Sequence, residues 1–168
     1  AWNARVSSAL MLPAHFAEVA TRNAVSDALL SVYGPRWPWD HAFEFSLPNP
    51  PRDSPRANLV STRARETTTG KVIAELKFSF WQRMFTARHD PRVWGPQILT
   101  QFPHTTETQP AVLRGRIYND LEAIRRLRNR VAHHEPVFTR PLAQDLAKML
   151  DLIQMRSQPT ADWVRALE

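Results

Sequence analysis

The sequence predicts an all-α helical bundle, and three observations lead to that prediction. Glycine is scarce, with only 4 in 168 residues, so the chain lacks the usual residues for many tight hairpins. The 14 prolines stand where they can start helices or stiffen loops. Apolar side chains recur every three or four residues along most of the chain, and no strand-like alternation persists.

The composition indicates a single globular domain over residues 1–168. Apolar residues make up 43% and charged residues 23%, which suits a packed core and not a disordered tail. The absence of cysteine excludes a disulfide framework and a thiolate metal site, so a reducing, cytoplasmic location is expected. No apolar run is long enough to span a bilayer. Because the chain starts at Ala1 without a methionine, we expect a trimmed N-terminus.

The charge balance is basic and dominated by arginine. Lys and Arg number 22 against 16 Asp and Glu, and only Lys71, Lys77 and Lys148 are lysines. The planar guanidinium of arginine can donate two hydrogen bonds to one phosphate and can stack on bases, which fits a nucleic-acid partner. A genome of high GC content would produce the same bias, so the charge alone does not separate the two interpretations.

Residues 1–34 are predicted to form a helical hairpin or one kinked helix. Trp2, Val6 and Leu10 recur at four-residue spacing, and Pro13 then interrupts the pattern. Gly34 and the proline after it are expected to end the second piece.

A long proline-rich loop, residues 35–53, is predicted after this hairpin. It carries Trp37 and Trp39 and is long for a connection without secondary structure. The loop could cover the core with its aromatic side chains or shape a surface for a partner. Covering the core is the favoured interpretation.

Three further helices are predicted in the middle of the chain. The first begins at Ser54, a good N-cap residue, which is followed by Pro55. Residues 72–85 have apolar side chains around most of the helix circumference and should form the most buried helix. A short helix is expected around Trp94 and Ile98.

The longest helix is predicted from about residue 110 to 133 or 134. Its apolar stripe comprises Leu113, Ile117, Leu121, Ile124 and Val131. A further helix with its own apolar stripe is expected through residues 139–155. A short terminal piece carries Trp163, Val164 and Leu167.

The end of the long helix holds the most unusual stretch, RRLRNRVAHHEP at residues 125–136. Its apolar stripe has a gap of seven residues between Ile124 and Val131. At about 100° per residue, Arg128 lies roughly 40° from Ile124 and so points inward. An inward arginine is costly unless its charge is paired or faces a wet cleft.

Three other arginines of this stretch lie on the outer faces of the helix: Arg125, Arg126 and Arg130. Arg126 can pair with Glu122, one turn earlier. A basic, solvated helix end is therefore the plain alternative to a functional site.

Asn129 and His133 are one helical turn apart and share a face. Arg128 and His133 are about 140° apart on an ideal helix, which is awkward for one site. Pro136 disfavours helical geometry at Glu135, so the last turn could unwind and move the histidines. A second copy of the helix across a two-fold axis could also complete the site.

Other chemistries are less well supported. The letters HHE suggest a metal site, but adjacent residues point apart on a helix, and no Asp, Glu or His stands four residues after His133. No side chain resembles an activated serine or cysteine nucleophile. We therefore expect no metal and no cofactor.

A second Arg-Asn pair, Arg22 and Asn23, follows Glu18 near the N-terminus. Glu18 and Arg22 could form a surface ion pair worth on the order of 0.3 kcal/mol. Alternatively, this helix packs near the motif, and Arg22 or Asn23 adds donors to its cleft. Both interpretations are equally supported.

The motif of Arg128, Asn129, three residues and His133 resembles the R-polar-x-x-x-H signature of HEPN domains (higher eukaryotes and prokaryotes nucleotide-binding). The wider sequence resembles the Abi-like branch, the abortive-infection proteins of bacteria. Three stretches carry this resemblance, in matching order and spacing: EVATRNAV at residues 18–25, ELKFSFWQRMF at 75–85 and LRNRVAHHEPVF at 127–138.

The resemblance implies a HEPN-like helical bundle, commonly a homodimer whose motif helices meet in a cleft. Most members with an intact motif are metal-independent endoribonucleases of toxin–antitoxin and phage-defence systems, so RNA and a cognate antitoxin are implied partners. Histidine suits proton transfer near neutral pH, and arginine suits a phosphate that gains negative charge. Members that bind RNA or a protein without cutting are the alternative.

The expected catalytic residues are Arg128 on the scissile phosphate, His133 as the proton carrier and Asn129 as the group that positions them. The expected RNA-binding or supporting residues are Arg125, Arg130, His134, Arg22 and Asn23.

Overall fold

The computed structural model describes residues 1–167 and confirms the all-α prediction, with no strand in that part of the chain. The helices are α1 (Trp2–Tyr33), α2 (His41–Ser46), α3 (Pro55–Arg63), α4 (Thr69–Glu75), α5 (Phe78–Arg83), α6 (Gly95–Gln101), α7 (Pro110–Ala132), α8 (Leu142–Arg156) and α9 (Gln158–Ala166). Two 3₁₀ turns, Trp37–Trp39 and Ala87–His89, and a π-helical turn, Asp90–Trp94, lie between them. Within residues 1–167, no helix combines the length and apolarity needed to cross a membrane.

Of the two alternatives predicted for residues 1–34 the structure has the single helix: α1 comprises 32 residues and runs through Pro13, so the hairpin alternative is wrong. A proline removes one backbone donor and strains the preceding turn, but the helix continues when tertiary packing holds it. The inner face of α1 is rich in buried alanine, which lets α8 pack against it. The helix ends at Gly34, whose φ of 83° suits glycine and whose N–H donates to the carbonyl of Leu30 at 2.9 Å.

The proline-rich segment after α1 is not a structureless loop, contrary to the prediction. It contains a 3₁₀ turn and the short helix α2, which is capped by Asp40 through a 2.7 Å hydrogen bond from the N–H of Phe43. Trp37 is buried and lies edge-on to Phe43 and Trp81. This tryptophan covers the core, as expected.

The single buried helix predicted over residues 72–85 is in fact two short helices, α4 and α5. The backbone is extended at Leu76 and Lys77 between them, and the N–H of Lys77 donates to Oδ1 of Asn58 at 3.3 Å. The predicted burial is nevertheless correct, because Phe80 and Trp81 are each only 1% exposed. Aromatic packing therefore holds this segment in place although the helix is interrupted.

The long helix α7 packs against α1, α5, α6 and α8 and carries the apolar stripe that the sequence predicts. The buried residues of this stripe are Leu113, Ile117, Leu121, Ile124 and Leu127. Leu127 fills the apparent gap in the stripe, while Val131 is only partly buried. Arg128, the next residue, therefore borders the core and does not replace a core residue.

Candidate functional site

Arg128 lies where α1, α5 and α7 meet. Its Nη1 is 2.5 Å from Oε2 of Glu18 on α1, and its guanidinium lies over the ring of Phe78, 4.9 Å from the ring centre. The Arg128 side chain is 30% exposed. An ion pair and a cation–π contact thus hold the inward-leaning arginine, which satisfies the requirement that its charge be paired.

A cavity of about 250 Å³ opens beside Arg128. Its walls come from α1, the start of α5 and the last turns of α7: Met11, Phe78, Arg125, Arg128, Asn129, Val131 and Ala132. Asn129 is solvent-exposed, so its amide can reach a bound group. A cavity of this size is below the range for drug-sized ligands, and it suits a phosphate group or a single ring.

The helix α7 ends in a Schellman motif at the two histidines. The N–H of His134 donates to the carbonyl of Val131 at 3.1 Å, and the N–H of Glu135 donates to the carbonyl of Arg130 at 2.8 Å. His134 adopts a left-handed conformation with φ of 56°, at a position where glycine is usual. A side chain there costs on the order of 1 kcal/mol.

His133 is the C-cap residue of α7, with φ −93° and ψ 11°, and its N–H donates to the carbonyl of Asn129 at 3.0 Å. The regular helix thus ends at Ala132, before the two histidines, and the backbone becomes left-handed at His134. The His133 side chain is exposed, forms no hydrogen bond within residues 1–167 and does not line the Arg128 cavity. One chain therefore brings Arg128 and Asn129 together at the cavity and leaves His133 one turn further on, facing solvent.

Asn3, in the first turn of α1, holds the segment after the histidines. Its Oδ1 accepts a hydrogen bond from the N–H of Val137 at 2.8 Å, and its Nδ2 donates to the carbonyl of Glu135 at 3.5 Å. Val137 is fully buried. Asn3 is a residue that the sequence did not predict for the site, since no local pattern signals a partner at the other end of the chain.

The outer arginines of the motif are each paired with a carboxylate. Arg125 and Arg126 both donate to Glu122, at 2.8 to 3.0 Å, which confirms the predicted Glu122–Arg126 pair. These donors, Arg125 above all, lower the pKa of Glu122 to about 2 despite its partial burial. Nε of Arg130 lies 3.2 Å from a carboxylate oxygen of Glu135.

A second cavity, of about 400 Å³, lies beside the first and shares Arg125 with it. Its lining includes Tyr118, Glu122 and Arg126 of α7, together with Asp53, Ser79, Gln82 and Arg83. Tyr118, Glu122, Arg125 and Asn129 follow one another at helical spacing on one face of α7. His133 follows Asn129 by one turn but lines neither cavity.

The second Arg-Asn pair is divided between two environments. No Glu18–Arg22 ion pair forms within residues 1–167, because Glu18 binds Arg128 instead, so the surface-pair alternative is wrong. The helix does pack near the motif, but neither Arg22 nor Asn23 lines the Arg128 cavity. Asn23 lines a separate cavity of about 580 Å³ between α1, α8 and α9. Arg22 is half-buried, and its Nε is enclosed without a hydrogen-bond partner.

Comparison of the chain with family models, with curated proteins and with solved structures finds no match in any of the three. The geometry around Arg128 and the motif that carries it are therefore the basis for inferring a function.

Proposed function

We propose that this protein is a metal-independent endoribonuclease of the HEPN type that acts as a homodimer. One observation carries the proposal: the guanidinium of Arg128 is stacked on Phe78 and opens on a phosphate-sized cavity, on the same helix as Asn129 and His133. An arginine whose orientation is set before the ligand arrives is preorganised to stabilise a developing oxyanion.

The proposed reaction uses the 2′-hydroxyl group of the RNA as its nucleophile. His133 removes the proton of this hydroxyl, O2′ attacks the phosphorus, and the bond from phosphorus to O5′ breaks. The proton passes through the imidazolium to the leaving 5′-oxygen, so the products are a 2′,3′-cyclic phosphate and a 5′-hydroxyl end. Arg128 stabilises the negative charge on the phosphate oxygens, and Asn129 orients the phosphate or the histidine by hydrogen bonding.

A second copy of the chain would bring the catalytic groups together. In one chain His133 points to solvent and not into the Arg128 cavity. Two-fold pairing of the α7 ends would let His133 of one copy face the cavity of the other. Exposed apolar side chains on the flanking elements, Trp2, Met11 and Phe138, supply surface that such pairing would cover.

The outer cations are proposed to add salt-dependent affinity for RNA. Arg125 borders both cavities, whereas Arg130 and His134 lie at the helix end. Contacts of this kind release counterions from the nucleic acid and weaken as salt rises. Replacing Arg125 or Arg130 by alanine should therefore weaken RNA binding at raised salt and leave cleavage detectable.

The biological setting we propose is a bacterial abortive-infection or toxin–antitoxin system, with a cognate antitoxin as a partner. The support is the resemblance of the three sequence stretches to Abi-like proteins. A non-catalytic module that binds RNA or a protein is the second candidate. It is favoured by one observation, the occupation of Arg128 by the carboxylate of Glu18.

The decisive experiment incubates the purified protein with structured RNA in EDTA. Wild type should cleave, and Arg128→Ala and His133→Ala should lose cleavage while RNA binding largely persists. His104→Ala, which changes an exposed histidine outside the site, is the matched control and should cleave normally. Cleavage that requires a divalent metal, or that survives in His133→Ala, would contradict the mechanism. Binding without any cleavage would favour the second candidate.

A further inference from the structure

The Glu18–Arg128 ion pair faces a cavity and is not sealed in the core. The closest approach joins Nη1 of Arg128 to Oε2 of Glu18, and the Arg128 guanidinium donates no hydrogen bond that meets normal geometry within residues 1–167. Arginine offers five N–H donors, so most of those on Arg128 remain for a group in the cavity. The pair thus orients the Arg128 guanidinium but leaves most of its N–H donors without an acceptor.

The Arg140–Asp145 pair shows what a purely structural ion pair looks like in this chain. Arg140 binds both carboxylate oxygens of Asp145, at 2.8 and 2.9 Å, and also donates to the carbonyl of Ala123. Asp145 is buried. This pair has no room for an exchange of partners, whereas the pair at Arg128 opens on solvent through its cavity.

Carboxylate and phosphate oxygens are equivalent acceptors for the arginine fork. From this we infer that Glu18 is an internal occupant of the anion site on Arg128, and that an RNA phosphate displaces it when the substrate binds. The inference rests on the proposed function for the identity of the ligand. It assigns to Glu18 a role that its place on α1, far from the motif in sequence, does not suggest.

Arg22 supplies the second position for the displaced carboxylate. It follows Glu18 by one turn of α1, where an i, i+4 ion pair can form. Arg22 makes no salt bridge within residues 1–167, and its enclosed Nε lacks an acceptor. Glu18 therefore has two guanidinium partners within reach of one side-chain rotation, one in the free protein and one in the RNA-bound protein.

The test measures binding of a labelled ten-nucleotide RNA with 2′-O-methyl groups, which cannot be cleaved, by fluorescence anisotropy in EDTA. Glu18→Gln removes the competing charge and should lower the Kd roughly three- to tenfold. Glu75→Gln, an exposed residue at the end of α4, makes the same change of net charge and should alter the Kd less than about twofold. The gain should vanish in the Arg128→Ala background, because the anion site is then absent.

Arg22→Ala should weaken binding of the same RNA in wild type and have no effect in the Glu18→Gln background, because Arg22 acts by accepting Glu18. An unchanged or weaker affinity of Glu18→Gln, or a gain that survives in Arg128→Ala, would overturn the inference. If Glu18→Gln fails to fold, Glu18→Asp withdraws the carboxylate while keeping its charge, and the same outcomes decide. The probe cannot be cleaved, so the measurement reports binding alone. It would still test the role of Glu18 if the protein proved to bind RNA without cutting it.

Discussion

Oδ1 of Asn3 lies 2.8 Å from the backbone nitrogen of Val137, so the first turn of α1 holds the chain that follows the candidate catalytic histidine. The same helix contributes Glu18 to Arg128. The two ends of the motif are thus positioned by two separate places on α1. The site is therefore a product of how α1 and α7 pack together, and not of α7 alone.

Replacing Asn3 by alanine should loosen the segment after α7. The N–H of the buried Val137 would lose its acceptor, which costs about 1 kcal/mol or somewhat more. Hydrogen exchange should therefore quicken at residues 133–138 and remain unchanged in α8. Asn119→Ala, at an exposed position of α7, is the control and should leave exchange in this segment as in wild type.

Replacing His134 by glycine should raise the free energy of unfolding by about 1 kcal/mol, because glycine adopts the left-handed conformation without strain. His134→Val should lower it, since a β-branched residue is disfavoured there. Chemical denaturation measures both changes. If the side chain also contacts RNA, His134→Gly should be more stable and yet bind RNA more weakly. Loss of stability in His134→Gly would contradict the left-handed helix end.

Replacing Arg140 by alanine should destabilise the protein by roughly 3–5 kcal/mol, because the buried carboxylate of Asp145 would lose its charged partner. Arg126→Ala, which breaks an exposed pair with Glu122, should cost less than about 1 kcal/mol. Urea unfolding of the two variants compares them directly. Equal losses of stability in the two variants would show that burial of the Asp145 carboxylate does not make its ion pair more important than an exposed one.

His89 should make stability fall as the solution becomes mildly acidic. Burial, assisted by Arg88 and opposed by Asp90, lowers the pKa of this histidine from 6.5 to about 4. The unfolded chain then binds a proton more readily than the folded one. His89 therefore does not reduce the free energy of unfolding above pH 6.5, and this free energy declines as the pH falls from 6.5 to 4. The slope should approach about 1.4 kcal/mol per pH unit.

Urea unfolding at several pH values between 7.5 and 4.5 measures that slope. His89→Gln should flatten it in this window, whatever its effect on stability at pH 7.5. His104→Ala changes an exposed histidine and should keep the slope of the wild type. An unchanged slope in His89→Gln would show that other groups titrate in this range.

The proposed homodimer can be tested by cross-linking, because the chain has no cysteine of its own. Ala132→Cys places one thiol on an exposed position beside His133. If residues 125–136 line or flank the interface, a short bismaleimide should join two such chains at micromolar concentration. Thr100→Cys, exposed on α6, should remain uncrosslinked. A monomer by light scattering, with no cross-link at Ala132→Cys, would contradict the assembly.

Local patterns predicted those parts of the fold that depend on near neighbours in the chain. Ser54 caps α3 as expected, because its hydroxyl needs only the N–H of Ala57, three residues on. The start of α7 at Pro110 and its buried stripe follow from a proline at the first helical position and from the 3.6-residue period.

Predictions failed where distant packing overrode a local rule. Pro13 should interrupt a helix, but α1 continues through it and Pro13 itself is buried in the bundle. Residues 72–85 have a helical pattern, but the extended backbone at Leu76 and Lys77 splits them into two helices. In both places the tertiary structure overrides the local conformational preference, because the free energy gained by burying a whole helix face exceeds the preference of one residue.

By itself the sequence determined the helical class, the start of α7 at Pro110 and the inward lean of Arg128 on that helix. Each of these depends on residues within one or two helical turns of each other. Only the tertiary structure decided that Glu18 binds Arg128 and not Arg22, that Asn3 holds the segment after His134, and that His133 faces solvent. Those outcomes depend on which elements meet in space, and the pairing of residues from opposite ends of the chain leaves no periodic signal in either segment.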